Sequence, residues 1–423
     1  MNVTVLGLWH LGSVTAACCA KHFHVVGLDF DTVTIDSLNQ GKAPLHEPSL
    51  NELLTVGIKS GNLLFTVDPK SACSKADVLW VAYDTPVNDR DESNVEFILT
   101  NIRRALTHLP KTALVLISSQ LPVGTCSELE KEFPQFRFAC SPENLRLGKA
   151  IDSFEKAERV VVGIRHESDR PLLEKLFAPF TSQILFMRIE SAEMVKHALN
   201  SFLALSITFI NEVARLGEHV GADAKEISAG LKSDPRIGSK AYLAPGGPFA
   251  GDTLARDVVT LTRLGASKGE TLSVIPAIKQ SNDLHRDWVF RRLQSRLGDL
   301  SGKTIGVLGL TYTTNTDTLR RSAAIELCSK ILAAGSTVVA FDPVVKTLPQ
   351  ELSLIALAAD VSGALRNADA AVVCTEWPQF RQADWSQIIS QMRQRIVIDP
   401  IRFLENELKN IAGVEHLSVG RAA

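Results

Sequence analysis

One pattern occurs twice in this chain, and it restricts the fold more than any other feature. Val3 to Gly7 is a short apolar run closed by glycine; a helical stretch follows from Leu11 to Lys21, and a second run, His24 to Asp29, ends in an acid. Near the other end the order returns: Lys303 to Gly309, a helix near Ala323 to Ala334, then Thr337 to Asp342. Strand, glycine, helix, strand, aspartate is how a doubly wound sheet opens. Further apolar runs at Val78 to Ala82, Ala113 to Ser118, Phe136 to Cys140, Arg159 to Gly163, Ala370 to Cys374 and Arg395 to Asp399 read as strands. Their alternation with helical segments predicts parallel sheets covered on both faces.

Between the two copies the texture changes. Ser191 can cap a helix whose apolar positions, from Met194 through Phe202 and Phe209 to Leu216 and Val220, recur at helical spacing. The same periodicity predicts a second long helical stretch from about Leu254 to Leu293. Helices this long, apolar on more than one face, commonly join domains or pair subunits. The expected fold class is therefore α/β: two Rossmann-like doubly wound parallel-sheet domains joined by a central helical domain with a long helix. The expected boundaries are 1–190 for a dinucleotide-binding domain, 191–298 for the central, dimerising one, and 299–423 for the second sheet.

Composition narrows the partners. A net charge of -2 over 423 residues gives no electrostatic case for nucleic acid or an anionic membrane surface. The seven cysteines are scattered, without Cys-x-x-Cys or His/Cys ligand spacing, which argues against a zinc site or a disulfide framework and fits a reducing cytoplasm. The first residues enter a strand directly, so no signal peptide is expected, and no apolar run approaches a membrane span.

Gly7-Leu8-Trp9-His10-Leu11-Gly12 lies between strand and helix, where a dinucleotide fingerprint belongs. Asp29 follows at the distance from which an acid accepts from the adenosine ribose, which favours NAD over NADP. The middle glycine, which normally lets the backbone approach the pyrophosphate, is Trp9. Lys196 and Asn200 fall one turn apart on the predicted central helix, so their side chains share a face. A lone Lys-x-x-x-Asn is usually a solvated surface.

Longer motifs change that reading. Glu193-Met-Val-Lys-His-Ala-Leu-Asn-Ser-Phe resembles the central helix of the UDP-glucose/GDP-mannose dehydrogenase family, and the likeness covers nearly the whole chain. It runs through Glu47-Pro-Ser-Leu-Asn-Glu-Leu-Leu, Asp84-Thr-Pro86, Ser119-Gln-Leu-Pro-Val-Gly-Thr125 and Ser141-Pro-Glu-Asn-Leu-Arg-Leu-Gly148. It continues through Asp234-Pro-Arg-Ile-Gly238, Gly306-Val-Leu-Gly-Leu-Thr-Tyr312 and Thr375-Glu-Trp-Pro-Gln-Phe380. Each motif is weak alone; in one order they indicate common descent, although not activity.

The resemblance implies an NAD-dependent oxidoreductase acting on a CH–OH group of a nucleotide-sugar, a UDP-sugar first, in polysaccharide biosynthesis. It implies a homodimer paired through the central helices. Lys196 and Asn200 would work on the alcohol: a lysine amine or ordered water takes the hydroxyl proton, and the ammonium or amide stabilises the developing oxyanion. Glu143 and Asp257 complete the retained catalytic set. Leu145, Arg236, Tyr242, Leu243, Gly247, Phe249 and Tyr312 are implied substrate contacts. Beside the Gly7–Gly12 segment and Asp29, the implied cofactor contacts are Thr85, Pro86, Ser119, Gln120 and Arg320.

The family's active-site loop reads Phe-Gly-Gly-Ser-Cys-Phe/Leu-Pro-Lys-Asp. Aligned on Phe249 and Asp257, its nucleophilic cysteine falls on Thr253, and no cysteine lies between Cys140 and Cys328. A threonine hydroxyl has neither the thiolate character nor the nucleophilicity that aldehyde capture needs. Gln120, Leu147 and Thr313 depart from the family pattern as well. A single oxidation is the first expectation. An inactive NAD- and nucleotide-sugar-binding homologue is a second, and a full 6-dehydrogenase with another nucleophile, Cys140 being the nearby candidate, a third.

Overall fold

The computed structural model describes residues 1–85, 94–143, 145–249 and 254–421. The chain divides into two compact units, Met1–Leu199 and Asn200–Ala423.

The first unit is built on β1 (Asn2–Leu6), β2 (His24–Leu28), β3 (Leu63–Thr66), β4 (Val78–Val81), β5 (Leu114–Ile117), β6 (Arg137–Cys140), β7 (Val160–Ile164) and β8 (Ile184–Met187), in the order β3-β2-β1-β4-β5-β6-β7-β8. Along β1, β4 and β5 successive side chains enter two different cores. Val3, Val5, Trp80, Leu114 and Leu116 face one; Leu6, Leu79, Val81, Val115 and Ile117 face the other. Burial on both faces is why these segments read as unbroken apolar runs. The pairing is parallel except between β6 and β7, where Ala139 and Cys140 meet Ile164 and Gly163 in antiparallel register. That one reversal is confined to the β6–β7 step of an otherwise parallel sheet.

The second unit contains β9 (Thr304–Leu308), β10 (Thr337–Phe341), β11 (Ile355–Leu357), β12 (Ala370–Val373), β13 (Ile396–Ile398) and β14 (Glu415–Leu417), in the order β11-β10-β9-β12-β13-β14, all parallel. Its topology repeats the first six strands of the first unit, and the polar anchors repeat as well. Leu8 N–H donates to Asp29 Oδ2 and Leu310 N–H to Asp342 Oδ2, both at 2.8 Å. Asn2 N–H donates to Asp77 Oδ2 and Thr304 N–H to Asp369 Oδ2, again at 2.8 Å. The strand-glycine-helix-strand-aspartate pattern thus records two copies of one fold, each with a carboxylate pinning the turn after its first strand.

The long helix is Ile189–Val220, which begins in the first unit and continues in the second. It starts before Ser191, so Ser191 lies inside the first turn and is not its cap. The second helical stretch is three helices rather than one: Leu254–Ser267, Val274–Arg286 and Trp288–Leu297. Gly269 takes a left-handed conformation at φ 72° and Glu270 N–H returns to Gly265 O at 2.9 Å, a glycine C-terminal cap that ends the first of them. Asp287, at φ -85° and ψ 2°, separates the other two. The apolar period continues across both breaks, which is why it suggested one element.

Candidate active site

In the first unit the turn after β1 is shaped by two glycines. Gly7 has φ 90°, and a Cβ on it would lie 2.5 Å from the Tyr83 ring. A Cβ on Gly12 would lie 1.6 Å from Gly7 O, so the His10–Cys19 helix rests directly on the preceding strand end. These are the tight turn and the close helix–strand packing a dinucleotide requires, and Asp29 stands at the end of β2 with its carboxylate toward the turn. The residues fit NAD. Trp9, at the position of the middle glycine, is 45% exposed. Leu8 and Leu11 pack their side chains in the core, which leaves their backbone groups to face a ligand.

His10 is buried and its Nε2 lies 2.9 Å from Glu47 Oε2. Glu47 also accepts from Gly148 N–H at 2.9 Å and Ala150 N–H at 2.8 Å. Burial acts to lower the His10 pKa, but the Glu47 hydrogen bond and the charges of Asp84, Glu47 and Glu143 outweigh it and raise it. Glu47 thus ties the fingerprint to the Glu143-bearing loop. Its place in a matched motif was the available signal, but sequence alone gave it no role.

Lys196 Nζ is 3.4 Å from Glu143 Oε1, and Glu143 Oε2 accepts from Leu145 N–H at 2.8 Å. Ser119, Gln120, Cys140, Glu143, Glu193 and Lys196 line one small cavity. Ser119 Oγ is buried there with no hydrogen-bond partner among the described residues, a polar atom available to a ligand. Thr85 Oγ1 donates to Gln120 O at 2.7 Å. Cys140 lines the same cavity, and its thiol is hydrogen-bonded to Cys126. Leu145 packs against the first core.

In the second unit Asn200 Nδ2 donates to Asp257 Oδ2 at 2.5 Å, and Asp257 is fully buried in the first turn of the Leu254–Ser267 helix. The loop before that helix is held by side chains the sequence did not single out. Asn211 accepts from Gly246 N–H at 3.0 Å and donates to Gly247 O at 3.1 Å. Asn282 accepts from Phe249 N–H at 2.9 Å and donates to Phe249 O at 3.0 Å. His285 Nε2 bonds Gly246 O at 2.7 Å, and Arg215 Nη1 donates to His285 Nδ1 at 2.9 Å. Leu243 and Phe249 are buried, so they hold this loop from inside. Tyr242 and Arg236 are exposed, Arg236 being clasped by Asp234 at 2.6 and 3.0 Å. Tyr312 N–H donates to Thr318 O at 2.9 Å, and Arg320 N–H to Thr318 Oγ1 at 3.3 Å, both on the loop after β9. Thr253 and Pro86 lie outside the described residues.

Burial, with the hydrogen bond at Gly246 opposing it and Arg215 and Arg291 reinforcing it, lowers the His285 pKa from 6.5 to about 4. A free histidine in the unfolded chain binds a proton first, so stability rises with pH between these values and is lost as pH falls from 6.5 toward 4. The expected loss over that window is about 3 kcal/mol. Urea melts across it, run beside a His285→Gln variant with a flatter dependence, check this; equal slopes in the two proteins would refute the assignment.

The family model for the UDP-glucose/GDP-mannose dehydrogenase NAD binding domain matches residues 1–181, the central-domain model 190–284 and the UDP binding domain model 306–406. The chain belongs to the UDP-glucose/GDP-mannose dehydrogenase family. UDP-glucose 6-dehydrogenase of Rickettsia prowazekii is 31% identical, with 99% of both chains covered. TuaD of Bacillus subtilis, also a UDP-glucose 6-dehydrogenase, is 30% identical over 100% of this chain and 94% of its own. Among solved structures, a UDP-glucose dehydrogenase from Pyrobaculum islandicum superposes with a TM-score of 0.89 at 27% identity, covering 100% of this chain and 98% of that one. This family member is an oxidoreductase of the NAD-dependent nucleotide-sugar dehydrogenases.

Proposed function

We propose that this chain carries out one NAD-dependent oxidation of a hydroxyl on a nucleotide-sugar, a UDP-sugar first, and stops at the carbonyl. The observation that carries the reading is the pairing of buried Lys196 with half-buried Glu143, in a chain whose sequence holds Thr253 at the family's cysteine position. NAD, when bound in the Gly7–Gly12 turn with Asp29, supplies the hydride acceptor. The remaining work falls to the chain. The Lys196 ammonium stabilises the oxygen as the hydroxyl proton leaves, and the Glu143 carboxylate beside it receives that proton directly or through water. Asn200, its amide fixed by Asp257, has one donor left for the substrate. Ser119 and Gln120 contact the cofactor's reacting end, while Arg236, Tyr242 and Tyr312 serve the nucleotide-sugar and Gly247 lets it approach the loop backbone.

NADH formed per substrate consumed, over a UDP-sugar panel with product masses, tests this. One equivalent and a product lighter by two hydrogens are expected; two equivalents and a uronic acid would overturn the single oxidation. A specific observation favours a second reading in that event: Cys140 and Lys196 line the same cavity. Loss of the second equivalent in Cys140→Ser would then identify it as the nucleophile.

A homodimer belongs to this reading, as does the three-domain division at 190 and 298. Phe202, Phe209 and Leu216 are spaced seven apart on the long helix, and Val220 continues them; all four are exposed. Heptad spacing of large apolar residues suits pairing with a second copy. Light scattering is expected to return twice the chain mass, and Phe209→Glu to halve it; a parent monomer would sink the idea. A cytoplasmic setting belongs to the same reading, on the scattered cysteines of the sequence.

A further inference from the structure

The N-terminus of the helix after β1 is where a doubly wound sheet receives a pyrophosphate, because its backbone N–H groups have no partner within the helix. In this chain one of those donors is already engaged. Leu11 N–H, in the first turn of the His10–Cys19 helix, donates to Asp84 Oδ2 at 2.9 Å. Leu8 N–H, just before the helix, donates to Asp29 Oδ2 at 2.8 Å. The two acids differ in consequence. Asp29 ends β2, where an acid serves the adenosine ribose. Asp84 follows β4, where the fingerprint has no acid, and its carboxylate lies on the donor itself. Its negative charge reaches into the turn, being one of the charges that raise the His10 pKa.

A carboxylate and a pyrophosphate oxygen compete for one N–H, and at such range like charges repel strongly in a partly buried site. We propose that Asp84 sets the affinity of this chain for its dinucleotide: the carboxylate holds the Leu11 N–H that the pyrophosphate needs, and the cofactor binds only by expelling it. This rests on the NAD-binding domain and not on the number of oxidations. The expulsion has a route to the catalytic cavity. The next residue, Thr85, is bonded through Oγ1 to Gln120 O at 2.7 Å, and Gln120 lines the cavity with Lys196 and Glu143. Cofactor occupancy therefore pulls on a cavity wall.

Asp84→Asn tests the charge while keeping an oxygen that can accept from Leu11 N–H. The full chain and the variant are titrated calorimetrically with NAD and with ADP-ribose, and with adenosine by ligand-observed NMR. NAD and ADP-ribose are expected to bind about tenfold tighter to the variant, the size of one removed charge contact, with adenosine within about twofold. Unchanged or weaker NAD binding overturns the proposal. An equal gain for adenosine overturns it as well, since the effect would then follow from a reshaped pocket and not from charge. No NAD binding to either protein would remove the dinucleotide site together with the proposal, whereas a two-equivalent NADH yield touches only the single oxidation. If the asparagine variant does not fold, Asp84→Ala is read by the same outcomes.

Discussion

Lys196→Met is expected to lower kcat by about 10³-fold while leaving the Kd for NAD within about twofold. Methionine keeps the length of the stem and removes the charge. Lys196 is buried, and its Nζ is 3.4 Å from Glu143 Oε1 on the wall of a small cavity. An oxyanion forming there loses its cation, and Glu143 loses the charged partner beside it, so proton transfer and charge stabilisation fail together. Single-turnover NADH formation at saturating nucleotide-sugar separates this from weaker binding. A kcat within about tenfold of the parent would remove Lys196 from the proposed role. Replacing Glu143 with glutamine in the Lys196→Met background should cost little more, because groups acting as a unit are not additive.

Gly12→Ala is expected to destabilise the chain by about 3 kcal/mol or more and to weaken NAD binding by at least about tenfold. The added Cβ would stand 1.6 Å from Gly7 O and 2.8 Å from the Gly7 carbonyl carbon. Both obstacles are backbone, so no rotamer relieves the clash; the helix must lift from the strand end. Lifting it moves the Leu8 and Leu11 N–H groups away from Asp29 and Asp84. Urea melts and calorimetry read the two effects. A variant within about 0.5 kcal/mol of the parent would mean the helix has room that the packing denies it. Gly247→Ala is the contrast, since a Cβ there meets open space.

Most of the fold was legible, and what was missed has one physical character. Every strand the apolar runs revealed is interior to its sheet. The four strands they did not reveal, β3, β8, β11 and β14, are the two edges of each sheet. An edge strand is short and covered on fewer sides: Leu64 in β3 and Leu185 in β8 are exposed, and β11 and β14 each have one buried residue. An apolar run reports burial on both faces, so it is blind where a sheet ends. The antiparallel β6–β7 pair was hidden for a related reason, because hydrophobicity along a strand carries no sign of its direction.

The site divides in the same way. Residue types at fixed spacing on one element were readable: Lys196 and Asn200 on successive turns of a helix, or Gly7, Gly12 and Asp29 around one turn. Partners brought from far along the chain were not. Glu47 on His10, and Asn282 and His285 on the Phe249 loop, come from residues 33 to 39 positions away. Asp84, 73 positions from Leu11, is the sharpest case. In sequence it is one altered residue in a matched motif; in the fold its carboxylate sits on a backbone donor.

The sequence by itself determined the family, the repeated strand-glycine-helix-strand-aspartate units, the absence of cysteine between Cys140 and Cys328, and the residue types available for chemistry. These follow from local spacing and composition, which the chain carries however it is folded. Only the tertiary structure decided which sheet edges close each core, which side chains hold the loop before Asp257, and which carboxylate meets the first helix. Those are matters of long-range pairing, where burial and hydrogen-bond satisfaction select partners that no local pattern encodes.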